Sequence, residues 1–157
     1  MIPNRIVIDT NVCLDLFVFR DPRWHRLLAV LKDGTVEAVT RSDCRTEWLI
    51  VLGYAQLKLD EQARQRSMME FDALIRCLPH QEQDSPAARL PVCKDRDDQK
   101  FLELARDAQA SVLITKDKAL LKLASKTRRD GLFLICKPET WIASDTHCAD
   151  IKITSGN

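Results

Sequence analysis

The chain contains no run of apolar residues approaching the ~20 needed to cross a bilayer, which excludes a membrane-spanning helix. Charge of one sign is not in excess either: 24 Lys and Arg against 23 Asp and Glu leave a net charge of +1. Bulk electrostatics therefore announces neither a nucleic-acid partner nor an acidic one, and any nucleic-acid surface has to be local. None of the six cysteines (Cys13, Cys44, Cys77, Cys93, Cys136 and Cys148) forms a Cys-x-x-Cys pair or shows metal-ligand spacing. They read as reduced thiols, mostly small core residues, rather than as a zinc site. No catalytic role falls to His25, His80 or His147. No internal repeat or domain boundary stands out, and because a strand is expected almost at once from the N-terminus, no signal peptide is expected. These absences predict a cytoplasmic protein with no membrane association.

What is present is an ordinary amount of material for one core: 157 residues, 45% apolar and 30% charged. The organising stretch is Arg5-Ile6-Val7-Ile8-Asp9-Thr10-Asn11-Val12. Three β-branched apolar residues without alternation predict a strand buried on both faces, as in a parallel sheet. The run stops at a carboxylate. In open α/β sheets the ligand crevice lies beyond the carboxyl ends of the strands, so Asp9 stands at the mouth of the expected site. The competing reading makes Asp9 a helix N-cap, a position Asp favours.

Further along, a short helix is expected from Val12 to about Phe19. Asp21-Pro22 opens a second helix, with Asp as N-cap and Pro at N1. Asp33-Gly34 turns the chain into a strand from Val36 to Thr40. Ser42 is the expected N-cap of a helix running to about Tyr54, whose stripe is Cys44, Trp48, Val51, Leu52 and Ala55. Glu47 sits on or beside that stripe, where a carboxylate is costly unless a cation meets it, and the competing reading is an edge glutamate paired with a nearby arginine. Asp60 is expected to cap a helix through about Arg76, and His80 to Pro91 reads as a loop. Acids then crowd the start of a helix, Lys94-Asp95-Arg96-Asp97-Asp98-Gln99-Lys100, ahead of the stripe Phe101, Leu104, Ala105 and Ala108. By helical phase either Asp97 or Asp98 can reach that stripe. Val112 to Thr115 is a second buried strand ending in polar residues, Lys116 and Asp117. A helix with Leu120, Leu121 and Ala124 inside and Lys118, Lys122 and Lys126 outside follows. A last strand runs from Leu132 to Cys136, and Pro138 starts a short helix containing Trp141. Alternating strands and helices with short links predict an α/β fold with a mostly parallel central sheet flanked by helices. Residues 1–143 are expected to form one domain and 144–157 a tail.

Asp9, Glu47, one of Asp97 and Asp98, and Asp117 can thus converge at one sheet edge. An oxygen-only ligand set suits Mg²⁺ or Mn²⁺, and gathered carboxylates repel one another without a cation. Such ions activate water and stabilise charge on a phosphodiester. At these residues the sequence resembles the PIN-domain nucleases: Val7-Ile8-Asp9-Thr10-Asn11-Val12, the helical Glu47, Asp98-Gln99-Lys100-Phe101-Leu102-Glu103-Leu104-Ala105, and Leu113-Ile114-Thr115-Lys116-Asp117. The resemblance covers nearly the whole chain. It is nearest to a bacterial branch described as toxin components of toxin–antitoxin systems.

The resemblance implies a three-layer α/β/α fold and Mg²⁺- or Mn²⁺-dependent hydrolysis of single-stranded RNA. Matched residue by residue, Asp9, Glu47, Asp98 and Asp117 take the catalytic and metal-binding roles, with Asn11 and Thr115 in support. Asp98 is preferred to Asp97 because Ala105 stands where the family's helix has its small residue. Lys116, Lys118 and Lys122 begin beside Asp117 and are expected to track the RNA backbone. A small antitoxin protein and a second copy of the chain are the implied partners. A phosphatase of the haloacid dehalogenase type also begins with a strand and an aspartate, but it needs a second Asp where this chain has Asn11. A non-catalytic binding module with the same fold is the remaining alternative, and intact acids at all four places argue against it.

Overall fold

The computed structural model describes residues 2–79 and 87–144. Its centre is a five-stranded sheet built from β1 (Ile2–Ile8), β2 (Glu37–Thr40), β3 (Ile75–Cys77), β4 (Ala110–Ile114) and β5 (Leu134–Cys136). The strand order is β3-β2-β1-β4-β5, and every pairing is parallel. The chain first builds outward from β1 to β2 and β3. It then crosses back to lay β4 against the other edge of β1, so the winding direction reverses between β1 and β4.

Ile6, Val7 and Ile8 are all buried, as a central strand covered on both faces requires. Ile6 and Ile8, with Val112 and Ile114 of β4, face a core containing Val12, Leu16, Phe17, Trp48 and Phe71. Val7, Val39 and Leu113 face the opposite core, which contains Phe101, Leu102, Leu104, Ala105 and Leu120. A sheet between two helical layers is the result. On the first face Trp48 stacks on Phe71 at 5.1 Å, and Phe17 meets both rings edge-on at 6.1 and 6.0 Å. Ring pairs in such geometries add ~0.5–1.5 kcal/mol each beyond the area they bury.

The helices are α1 (Thr10–Phe17), α2 (His25–Asp33), α3 (Ser42–Leu52), α4 (Glu61–Leu74), α5 (Gln99–Asp107), α6 (Lys118–Leu121) and α7 (Ala124–Arg129), and residues 138–144 are also helical. Their starts follow local chemistry. Asp21 accepts from the Arg23 amide at 3.0 Å, with Pro22 next in line, and opens a 3₁₀ turn (Pro22–Trp24) that feeds α2. Asp60 accepts from Ala63 at 2.7 Å and caps α4. Gly34 ends α2 at φ 81°, a left-handed conformation that glycine enters without steric cost.

The sequence reading is corrected at several places, one being the helix expected to reach about Tyr54, which ends at Leu52 and leaves Ala55, expected on its buried stripe, exposed in a 3₁₀ turn. Ser42 lies inside α3 rather than capping it; Arg41 holds the cap position, and its guanidinium pairs with Asp43 at 2.7 Å. The helix expected to run through Arg76 stops at Leu74, and Ile75–Cys77 form the edge strand β3 on β2, with Ala38 opposite Ile75. Three residues are too short to show a strand's alternation, and sheet pairing overrides the helical pattern there. The single helix expected after Asp117 is two, because Leu123 donates to Leu120 and Lys126 to Leu123 in tight i→i−3 bonds. That change leaves the side-chain spacing almost helical, so the apolar pattern does not reveal it. Cys13, Cys44 and Cys93 are buried thiols, as expected, while Cys77 is exposed. His80, His147, Cys148 and the tail beyond residue 144 lie outside the described residues.

Candidate active site

The switch between β1 and β4 brings together two strand ends that are more than a hundred residues apart in sequence. The Asp9 amide donates to the Ile114 carbonyl at 2.9 Å, which carries the sheet pairing one residue past β1. Asp9 then turns the chain into α1, its Oδ1 accepting from the Thr10 amide at 2.7 Å. Its Oδ2 accepts from the Thr115 hydroxyl at 2.7 Å, and the Thr115 oxygen accepts from the Asp117 amide at 2.9 Å. Asp117 in turn caps α6, accepting from Ala119 at 2.8 Å. Thr115, buried completely, therefore joins both strand-end carboxylates into one rigid unit. Asp9 is thus a helix cap through Oδ1, as the competing reading expected, while Oδ2 ties it to Thr115 at the neighbouring strand end.

The third carboxylate arrives from a 3₁₀ turn, Arg96–Asp98, that leads into α5. Asp95 caps that turn, accepting from the Asp97 amide at 3.0 Å, and Asp97 is exposed. Asp98 stands at the start of α5 yet makes no capping bond. Its carboxyl points instead at the two strand ends, so Asp98, and not Asp97, joins them. One oxygen each from Asp9, Asp98 and Asp117 lie within 4.8 Å of one another. Oxygens around an octahedral ion with bonds of ~2.0–2.1 Å stand about 3 to 4 Å apart, so modest side-chain movement closes the group on one cation.

Electrostatics marks the same three residues. Burial pushes the Asp9 carboxyl up to about 6 against the pull of its Thr115 and Thr10 hydrogen bonds, and Glu47 and Asp117 add repulsion. Burial, then the adjacent Asp117 carboxyl, raises Asp98 to about 8. Asp117 is lowered, first by its hydrogen bond with the Asp98 carboxyl and then, against its partial burial, by the Ala119 amide. Asp98 Oδ2 is shut off from solvent and no protein donor reaches it. An orphaned carboxylate oxygen facing two others is a donor set in want of a cation, and its hardness suits Mg²⁺ or Mn²⁺.

Glu47, expected as a fourth ligand, does not join the group. Its Oε1 accepts from Lys100 Nζ at 2.9 Å and its Oε2 from the Thr10 hydroxyl, so both oxygens are engaged beside the site rather than in it. Asn11 reaches the neighbouring loop, its Oδ1 accepting a long bond from the Lys116 amide at 3.4 Å. Lys116 is not free to meet a ligand: its Nζ lies 2.6 Å from buried Asp15, which also accepts from the Trp24 indole at 3.1 Å. Lys118 and Lys122 are exposed and make no ion pair among the described residues. The break between α6 and α7 removes Lys126 from the continuous helix face on which it was expected. Sequence reasoning missed Thr10, Asp15 and the pairing of Lys100. Only the last had a signal, since a glutamate beside an apolar stripe requires a cation.

Residues 5–119 match the PIN domain family, a span that runs from β1 into α6 and takes in Asp9, Glu47, Asp98 and Asp117. The chain belongs to the PIN-domain family. Comparison with curated proteins and with solved structures gives no match. PIN domains are in general divalent-metal-dependent nucleases, and in this PIN domain the donor set that fits such an ion is Asp9, Asp98 and Asp117. No helix among the described residues is long and apolar enough to cross a membrane.

Proposed function

We propose that this PIN domain is a ribonuclease that hydrolyses phosphodiester bonds of single-stranded RNA with Mg²⁺ or Mn²⁺. The observation that carries the reading is the meeting of three carboxylates from three separate stretches, two of them with carboxyls raised well above their ordinary range. Asp9, Asp98 and Asp117 hold the ion. When bound, it activates water and offsets the charge that develops on the phosphate. Thr115 fixes the orientation of Asp9 and of the Asp117 backbone, and Asn11 steadies the loop between them. Glu47 acts from outside the ligand set, steadying Thr10 next to Asp9. Lys118 and Lys122, exposed just past Asp117, supply local positive charge for the RNA backbone that the nearly neutral chain otherwise lacks.

The same reading takes residues 1–143 as one domain, places the protein in the cytoplasm, and makes it the toxin of a toxin–antitoxin pair acting as a homodimer. A small antitoxin reading frame adjacent to its own, and the mass of the protein by light scattering, test those parts. The chemistry is tested by incubating mixed single-stranded RNA with purified protein in Mg²⁺, in Mn²⁺ and in chelator. Cleavage is expected with either ion and not in chelator, and it is expected to vanish in Asp9→Asn. Cleavage that persists undiminished in chelator, or in Asp9→Asn, would overturn the reading.

A further inference from the structure

The ion pair between Lys100 and Glu47 bears on how many ions the site holds. Glu47 projects from α3 toward Asp9 and adds to the repulsion on it, so its charge is felt at the centre. Yet neither of its oxygens is available. Lys100 Nζ takes Oε1 at 2.9 Å, and the Thr10 hydroxyl takes Oε2. Lys100 is itself held at a second point, donating to the Asp97 carbonyl one turn back, and its Nζ lies 5.3 Å from the centre of the Phe101 ring. The pair is largely covered, with side chains 19% and 27% exposed. Stripping one partner from a covered pair leaves an uncompensated charge, so a second dication would have to displace an anchored ammonium while sitting close to the first ion. Among the described residues, Asp9, Asp98 and Asp117 form the one group of acids placed to hold a metal.

We propose that the ammonium of Lys100 takes the place of a second divalent cation at Glu47, so that this PIN domain binds one ion and not two. The inference rests on the metal-dependent reading above. It gives Lys100 a positioning role: it withdraws Glu47 from the ligand set and supplies a fixed positive charge where a second ion would otherwise balance the fourth acid.

The test counts Mn²⁺ bound per chain in the absence of RNA, by titration followed by electron paramagnetic resonance of the free ion. The wild type is expected to bind one Mn²⁺. Glu47→Gln and Lys100→Arg are also expected to bind one, the first because Glu47 is no ligand and the second because a cation still occupies it. Lys100→Met frees Glu47, and a second, weaker Mn²⁺ is expected to appear. Two ions in the wild type, a loss of the single ion in Glu47→Gln, or a count that stays at one in folded Lys100→Met would each overturn the proposal. If Lys100→Met does not fold, the wild-type and Glu47→Gln counts still decide. No Mn²⁺ at all in the wild type would instead remove the metal reading on which the inference rests, a result distinct from a count of two.

Discussion

Replacing Asp98 by Asn changes one oxygen to an amide and should stabilise the metal-free protein. The exchange breaks no capping bond and strands no donor on Oδ2, because Asp98 makes no cap and that oxygen has no donor. An amide can also donate to Asp117, as the protonated acid does. Asp98 is raised from the ordinary 3.8 to about 8. The folded state therefore binds protons more tightly than the unfolded chain across that interval, and stability falls as pH rises from about 4 to about 8. Each tenfold change in acidity is worth ~1.4 kcal/mol before screening. Asp98 is only half-buried, and solvent screening together with the opposite displacement of Asp117 reduces the net gain in Asp98→Asn to about 1 kcal/mol near pH 8. For a chain of this size that is a rise of roughly 2–4 °C in Tm. The gain should shrink toward pH 5, where the wild-type carboxyl is already protonated. Divalent ions bind only the folded site, so Mn²⁺ at a hundred times its Kd should add ~2.7 kcal/mol to the wild type and much less to the variant. Thermal melts of both proteins from pH 5 to 9, in chelator and then in Mn²⁺, check each part. A variant that is less stable in chelator, yet gains as much from Mn²⁺ as the wild type, would refute the reasoning and remove Asp98 from the metal site.

Thr115→Val keeps the buried volume but deletes the hydroxyl that donates to Asp9 and accepts from the Asp117 amide. Mn²⁺ affinity by calorimetry is expected to drop roughly 10–100-fold, and an unchanged affinity would show that the hydroxyl does not orient the ligands. The same variant should lose about 1–3 kcal/mol of stability from the stranded amide, read from urea unfolding. Replacing Lys118 and Lys122 together by Gln should weaken RNA binding and flatten its salt dependence, by about one logarithmic unit or less for each phosphate left without its lysine. An unchanged slope in filter binding across a salt series would reject their pairing with the backbone.

The fold was legible wherever apolar runs were long enough to carry a period. Ile6-Val7-Ile8 and Val112 to Ile114 announced buried strands, and parallel pairing followed from the helices between them. What escaped was short or set by tertiary packing. β3 is three residues long and continues directly from α4, and the split between α6 and α7 changes hydrogen-bond partners without changing side-chain spacing. Three of the site's acids could be found in sequence because each ends a strand or opens a helix, where ligands gather. Asp97 and Asp98 differ by one helical step, which helical phase cannot separate; in the structure Asp97 is exposed, in a turn capped by Asp95, and Asp98 joins the other two acids. That Glu47 needs a cation was legible, but not which one, and nothing in the sequence marked Lys116 as paired. Each depends on one partner far away in sequence, Lys100 for the first and Asp15 for the second, and a charge carries no mark of its partner.

The most direct test of the central claim is the position of Mn²⁺ in a crystal of the protein grown with that ion and measured at its absorption edge. An anomalous peak is expected between Asp9, Asp98 and Asp117, with an oxygen of each within about 2.0–2.3 Å and Glu47 still on Lys100. A peak elsewhere, or none between these three residues at a Mn²⁺ concentration that supports RNA cleavage, would contradict it.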